Sequence, residues 1–309
     1  MSHVRFPEPA VSDSTPEKRS FYKYATPDTA LAVLKNRTVR YSSPLKFNDP
    51  FDFQSGLHFD FDLDSLHGKV FDRLHELATN LEEPPVDKND PWGKIVLLIR
   101  ENYLKYGLPD HLRTKSSELF SKLVAEMSVT QQQYQEHWRK LLPGIRVFCV
   151  SEDRDNLLMW AHYAKDHTGA VFEFLSLPEE DNPLSIAKPV TYVDRPPPLF
   201  SEAEWINDIL SLQRLNTDDL YKRYAYIKST HWRYEKEWRV WYPQTPAPEG
   251  LWFDCPIRQS EFAAVYIGCR AKPDFTDEVR TLTYAAFPHA RIFKARKENR
   301  DYALKYEEI

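Results

Sequence analysis

Two hydrophobic periodicities are kept apart in this chain, and that separation constrains its fold more than any single motif. Between Asp62 and Met127, Leu63, Leu66, Val70, Leu74, Leu77 and Leu81 recur every three or four residues, the spacing of one buried helix face. Elsewhere the apolar residues come in short runs of strand length. These are SFYKYA at 20–25, TVRYS at 38–42, IRVFCVS at 145–151, AVFEF at 170–174 and FAAVYI at 262–267. Further strands are expected at 188–193, 235–242, 291–295 and 302–306.

Pro84 and Pro85 break the helical block, which resumes over about 91–106, 110–127 and 130–142. Helices are also expected after Thr26-Pro27-Asp28, over 156–167 with Gly169 ending it, over 202–224 and over 274–286. Strands interleaved irregularly with helices predict an α+β fold, with a mixed or antiparallel sheet core, flanking helices and a helical insertion at about 62–142. Residues 1–19 read as a flexible leader, rich in Pro, Ser and Glu and lacking an apolar signal-peptide core. Residues 20–309 read as a single domain.

Composition narrows the chemistry. There are 8 glycines against 23 prolines, and neither GxGxxG nor GxxxxGK[ST] occurs, which excludes the usual glycine-rich phosphate loops. Three widely spaced cysteines exclude a disulfide scaffold or a CxxC zinc module and fit a reducing, cytoplasmic setting. No apolar run approaches the roughly 20 residues that span a bilayer. No metal-ligand motif is present either. The net charge of -5 is modest but uneven. Residues 52–90 hold ten acids and three bases, whereas residues 221–242 hold six bases, two acids and eight aromatic residues. Cations interleaved with Tyr and Trp suit a nucleic-acid or other partner surface, for which Lys222, Arg223, Trp232 and Arg233 are the candidates.

The segment HWRYEKEWR at 231–239 offers the sharpest chemistry. Read as a strand, its period of two puts Glu235, Glu237 and Arg239 on one face, with the two carboxylates roughly 6.5–7 Å apart. One acid could then orient a hydroxyl while the other steadies a developing cation. His162 and Asp166, four apart on the expected helix, could fix an imidazole tautomer, although a packed core histidine is the simpler reading. Tyr22-Lys23 and Tyr41-Ser42-Ser43 offer aromatic faces, a cation and hydroxyls that could hold a nucleotide. In FNDPFD at 47–52, Asp52 reads as a turn residue clamped between phenylalanines, while Asn48 and Asp49 stay open.

Taken together, FYKYA (21–25), SSPLKFNDPFD (42–52), the stretch 147–174, KSTHWRYEKEWRV (228–240) and AVYIGC (264–269) resemble the bacterial family known as domain of unknown function 2971. That resemblance implies a mobile-element or defence setting. The order of a cation-bearing strand, a Tyr-Ser-Ser strand and a Glu-x-Glu strand is also similar to the mono-ADP-ribosyltransferase superfamily. The similarity implies NAD+ as substrate, bound by Tyr22, Lys23, Tyr41, Ser42 and Ser43. Glu237 would stabilise an oxocarbenium-like transition state and Glu235 would orient the acceptor. The expectation is therefore an ADP-ribosyltransferase-like enzyme, with a toxin or phage-defence role. Its rivals are a nuclease or phosphohydrolase using His162 and a non-catalytic binding module. The enzymatic reading requires Lys23, Ser42, His162, Glu235 and Glu237 to line one hollow.

Overall fold

The computed structural model describes residues 18–61, 63–80, 82–107, 131–215, 221–222, 224–243 and 249–309. The expected leader, up to residue 17, and the expected helix at 110–127 lie outside them. The chain divides into two compact units. One comprises the chain up to Gln54, Leu141–Pro196 and Tyr226–Ile309; the other comprises Ser55–Lys140 and Pro197–Ala225. Among the described residues no helix is long and apolar enough to cross a membrane.

The first unit is an α+β structure around a ten-stranded mixed sheet. Its central strand, β3 (Ile145–Ser151), pairs antiparallel with β1 (Arg19–Ala25), β2 (Thr38–Ser42) and β8 (Glu237–Pro243). From β1 the sheet continues through β4 (Ala170–Ser176), β10 (Phe262–Ile267), β11 (Arg291–Lys297) and β12 (Leu304–Glu308). Beyond β2 lies β9 (Trp252–Pro256), and β8 also carries the two-residue β5 (Lys188–Pro189). Among the described strands of this sheet only β10 and β11 run parallel, joined by the helix Pro273–Ala286. A separate parallel pair joins β6 (Thr191–Val193) to β7 (Ile227–Ser229).

Strand parity assigns each side chain to a face. One face is hydrocarbon: Phe21, Phe148, Phe172, Val240, Val265 and Ile292 are buried in one cluster. It is covered by α1 (Pro27–Asn36) and by the helix Pro273–Ala286, which supply Ala30, Leu34, Val279 and Ala286. Thr26 caps α1 and Pro27 opens it, as the sequence predicts. The opposite face carries Tyr24, Val171 and Tyr266, which pack with Met159 and Trp160 of the short helix Leu157–His162.

That short helix ends five residues before the sequence suggests. Lys165, Asp166 and His167 follow with φ of 47°, 56° and 65°, so Asp166 is not one helical turn beyond His162. Gly169 serves another purpose than the expected helix stop. A Cβ there would sit 2.1 Å from the Ala25 carbonyl oxygen, and one at Gly268 would sit 2.1 Å from that of His167. Backbones meet too closely at both places for any side chain.

The second unit is helical in its described parts. Leu63–Thr79 packs on Pro91–Tyr106, burying Leu66, Val70, Leu74 and Leu77 as the periodicity foretells, and Val96 from the second helix. Asp90 caps the second of these helices. Residues 131–140 are helical as well, with Trp138 fully buried against Tyr221. The helix expected at 202–224 is interrupted: its first part ends at Ile209, where Ser211 turns left-handed at φ 56°, and residues 221–222 and 224 are again helical.

Candidate active site

Five charged side chains meet on the polar face of the first unit's sheet: Asp52, Lys228, Glu235, Glu237 and Arg239. Arg239, on β8, is 0% exposed. Its Nη1 and Nη2 donate to Asp52 Oδ1 and Oδ2 at 3.0 and 2.5 Å, a two-pronged pair. Its Nε and Nη2 donate to Glu237 Oε1 and Oε2 at 2.8 and 3.1 Å. Phe47 and Phe53 lie against its guanidinium, with ring centroids at 5.8 and 5.1 Å. Lys228, on β7, donates to Glu235 Oε2 at 2.5 Å and to Glu237 Oε2 at 3.0 Å, and lies 3.8 Å from Asp52 Oδ2. Trp232 flanks the same ammonium with its ring centroid 5.0 Å away.

The two glutamates converge by a different route from the expected one. Thr230–Glu235 is a 3₁₀ helix, capped by Ser229, and Lys236 turns left-handed at φ 44° before the strand begins at Glu237. The i, i+2 spacing of a flat strand therefore does not apply to Glu235. The turn at Lys236 swings its carboxylate back onto the ammonium that Glu237 also binds. The Ser151 hydroxyl donates to the Glu235 carbonyl at 2.6 Å, fixing the turn to β3. Tyr163 OH donates to Glu235 Oε1 at 2.5 Å, and Asn48 Nδ2 reaches Tyr163 OH at 3.5 Å. Tyr192 OH accepts the Glu237 backbone N–H at 2.8 Å.

Three carboxylates share two cations in a dry place, and they respond differently. Burial pushes Asp52 and Glu235 above the usual carboxylate range, only partly offset by Arg239 and Lys228 respectively. Burial acts upward on Glu237 too, but Arg239 and Lys228 both pull against it and hold it well below that range. Lys228 is opposed by burial, yet Glu237, Glu235 and Asp52 keep it firmly protonated. Burial likewise lifts the phenols, to about 12 for Tyr192. Cys149, on β3, is a free cysteine whose thiol is raised by burial and by Glu237. Among the described residues no three His, Cys, Asp or Glu side chains are disposed to hold a metal ion. The point between these carboxylates is taken by the Lys228 ammonium.

The other expected site residues scatter. Lys23 and Tyr22 are adjacent on β1, so they point to opposite faces. Lys23 lies on the hydrocarbon face, its Nζ donating to the Cys149 carbonyl at 2.7 Å and standing over Phe148. Tyr22 is on the polar face, edge-on to Tyr266. Tyr41 is a core residue stacked between Phe148 and Phe253, each ring 5.1 Å away. Ser43 is fully buried and donates to the Leu142 carbonyl. Ser42 is half-buried on β2. His162 is exposed, its ring 6.2 Å from that of Tyr234. Strand parity thus turns Lys23 to the face opposite Glu237, so these two do not line one hollow.

Sequence reasoning missed Asp52, Lys228 and Tyr163. Asp49 does the turn work expected of Asp52, its Oδ1 accepting the Phe51 N–H at 2.9 Å, which frees Asp52 for Arg239. Phe53, with φ of 62°, forms the inner wall there, whereas Phe51 is 75% exposed. Arg239, on the same strand face as Glu237, was the one legible signal. The basic aromatic segment loses two of its six cations, Lys228 and Arg239, to this cluster. Lys222 and Arg233 are exposed, Trp232 is half-buried, and Arg223 lies outside the described residues.

Residues 159–240 match the model of a family described as Protein of unknown function (DUF2971). The matched stretch contains Tyr163, Tyr192, Lys228, Glu235, Glu237 and Arg239 and leaves out Asp52. No curated protein and no solved structure matches the chain, and nothing links it to the mono-ADP-ribosyltransferases.

Proposed function

We propose that this chain is an enzyme that opens a glycosidic bond of a nucleotide, with NAD+ the first substrate to test and water, a protein or a nucleic acid as acceptor. The observation that carries this reading is the unequal company of two neighbouring buried glutamates: Glu237 is gripped by both Arg239 and Lys228, whereas Glu235 shares Lys228 with the Tyr163 hydroxyl, which shifts their acidities in opposite directions. Carboxylates pushed apart in this way divide into an acid or base and a permanently charged stabiliser. Glu237, kept ionised, would face the positive charge that grows on the sugar as the bond loosens. Glu235, easily protonated and bonded to Tyr163, would hand a proton to or from the acceptor. Half-buried Tyr163, Trp232 and Tyr234 flank Glu235 in space or sequence and could take a flat ring. The role in phage defence or as a toxin belongs to this same proposal.

A second reading has its own support. Every carboxylate of the cluster already has a cationic partner, as in a network that only fastens the loop before Gln54 to the sheet. Nicotinamide release from NAD+ by the purified chain separates the two. The enzymatic reading expects turnover that falls about 100-fold or more in Glu237→Gln, the scale of a lost electrostatic stabiliser. No turnover and no saturable NAD+ binding by folded wild-type protein would leave the fastening role.

A further inference from the structure

A separate hollow of about 620 Å³ opens in the first unit beside the turn at 165–167, and none of the five clustered charges lines it. That volume is in the range of small-molecule sites, about 300–1,000 Å³. Its wall is rigid by construction. The left-handed turn through His167 is pinned by His167 N–H to the Trp160 carbonyl at 3.1 Å and by Arg270 N–H to the His167 carbonyl at 3.0 Å. The close approach that forbids a side chain at Gly268 fixes the same strand ends. Backbone held in sparsely populated conformations collects at ligand sites.

The lining is chemically pointed. Arg270, Lys297 and Arg300 contribute three cations. Of the two acids on the wall, Glu298 is taken by Lys305 at 2.5 Å, leaving Asp301. The His167 ring stacks on Trp160, and its Nδ1 is buried with no hydrogen-bond partner. A buried polar atom without a partner calls for one. Tyr302, on the turn between β11 and β12, is 100% exposed at the rim, with its whole ring free to cover a ligand.

We propose that this hollow binds a nucleoside phosphate. The phosphates sit on Arg270, Lys297 and Arg300, and the base lies against Tyr302. The proposal is independent of the glycosidic reading.

Cys269 lines the hollow and reports on it. The full-length chain is labelled with iodoacetamide while ADP is titrated, and modification of Cys269 and Cys255 is followed by peptide mass spectrometry. Saturable protection of Cys269 alone is expected, unchanged in Glu237→Gln and weakened roughly ten-fold in Arg270→Glu, the scale of one charge-assisted contact. Arg300→Glu, at an exposed turn position, supplies the same test without risk to the core. Inorganic pyrophosphate should protect less well than ADP. Absence of saturable protection, protection that survives both arginine changes, protection lost in Glu237→Gln, or pyrophosphate equal to ADP would each overturn the proposal.

Discussion

The two faces of one sheet solve the burial problem in opposite ways. The face under α1 is built from Phe, Val, Ile and Ala and gains stability in proportion to the apolar area it hides. The other face buries Asp52, Lys228, Glu235, Glu237 and Arg239, each less than a tenth exposed. Desolvating such ions costs several kcal/mol apiece, and their mutual attraction roughly repays it at best. Apolar residues of similar volume would do as well for stability. Charges kept at this density therefore indicate a task that hydrocarbon cannot perform, whether chemistry or the fixing of one unique arrangement.

The largest expected effect breaks the network at its centre. Arg239→Met leaves Asp52 and Glu237 short of their main partner and should cost about 3–5 kcal/mol in urea unfolding. A loss under 1 kcal/mol would mean that water reaches the site and that the contrast between the faces is false. A smaller effect sharpens the comparison through pH. Glu237 is held low in the fold, so its contribution is present above its unfolded value of about 4.5 and fades as the pH falls below it. Glu235 is raised, so its contribution is present below about 4.5 and is lost as the pH rises through its folded value. The stability gap between wild type and Glu237→Gln should therefore shrink on acidification, and the gap between wild type and Glu235→Gln should move the other way. Each slope is bounded by about 1.4 kcal/mol per pH unit. Parallel curves would refute the opposite displacement. The smallest effect is at the sheet edge, where Arg291 and Glu308 pair at 2.9 Å with side chains 62% and 55% exposed. Arg291→Ala should change stability by no more than about 1 kcal/mol, and less at high salt.

These regions also differ in how legible they were. The strands of the hydrocarbon face followed from their short apolar runs, and the structure gathers Phe21, Val39, Phe148, Phe172 and Val265 from those runs in one buried cluster. The helix faces in the second unit followed from a period of 3.6. At the charged site Glu235 and Glu237 were identified, but through a strand geometry that the left-handed Lys236 replaces. Tyr163 lies one residue from His162, and which of two adjacent helical residues meets Glu235 depends on how the helix is set against the sheet. Lys228 and Asp52 come from segments about 180 residues apart, and neither carries a local mark of its role. Pattern reading reports neighbours along the chain, whereas a buried ion pair is a statement about neighbours in space.

What the sequence alone determined is the fold class, most strand and helix positions, and the presence of two acids, Glu235 and Glu237, beside Arg239. Local sterics and the alternation of side chains are written residue by residue, so they survive without a structure. Only the tertiary structure decided the company those acids keep, the face on which Lys23 and Tyr41 end up, and the hollow beside His167. Each of these depends on chain segments far apart in sequence being brought within a few ångströms, where desolvation and Coulomb attraction first become strong enough to tell one glutamate from the other.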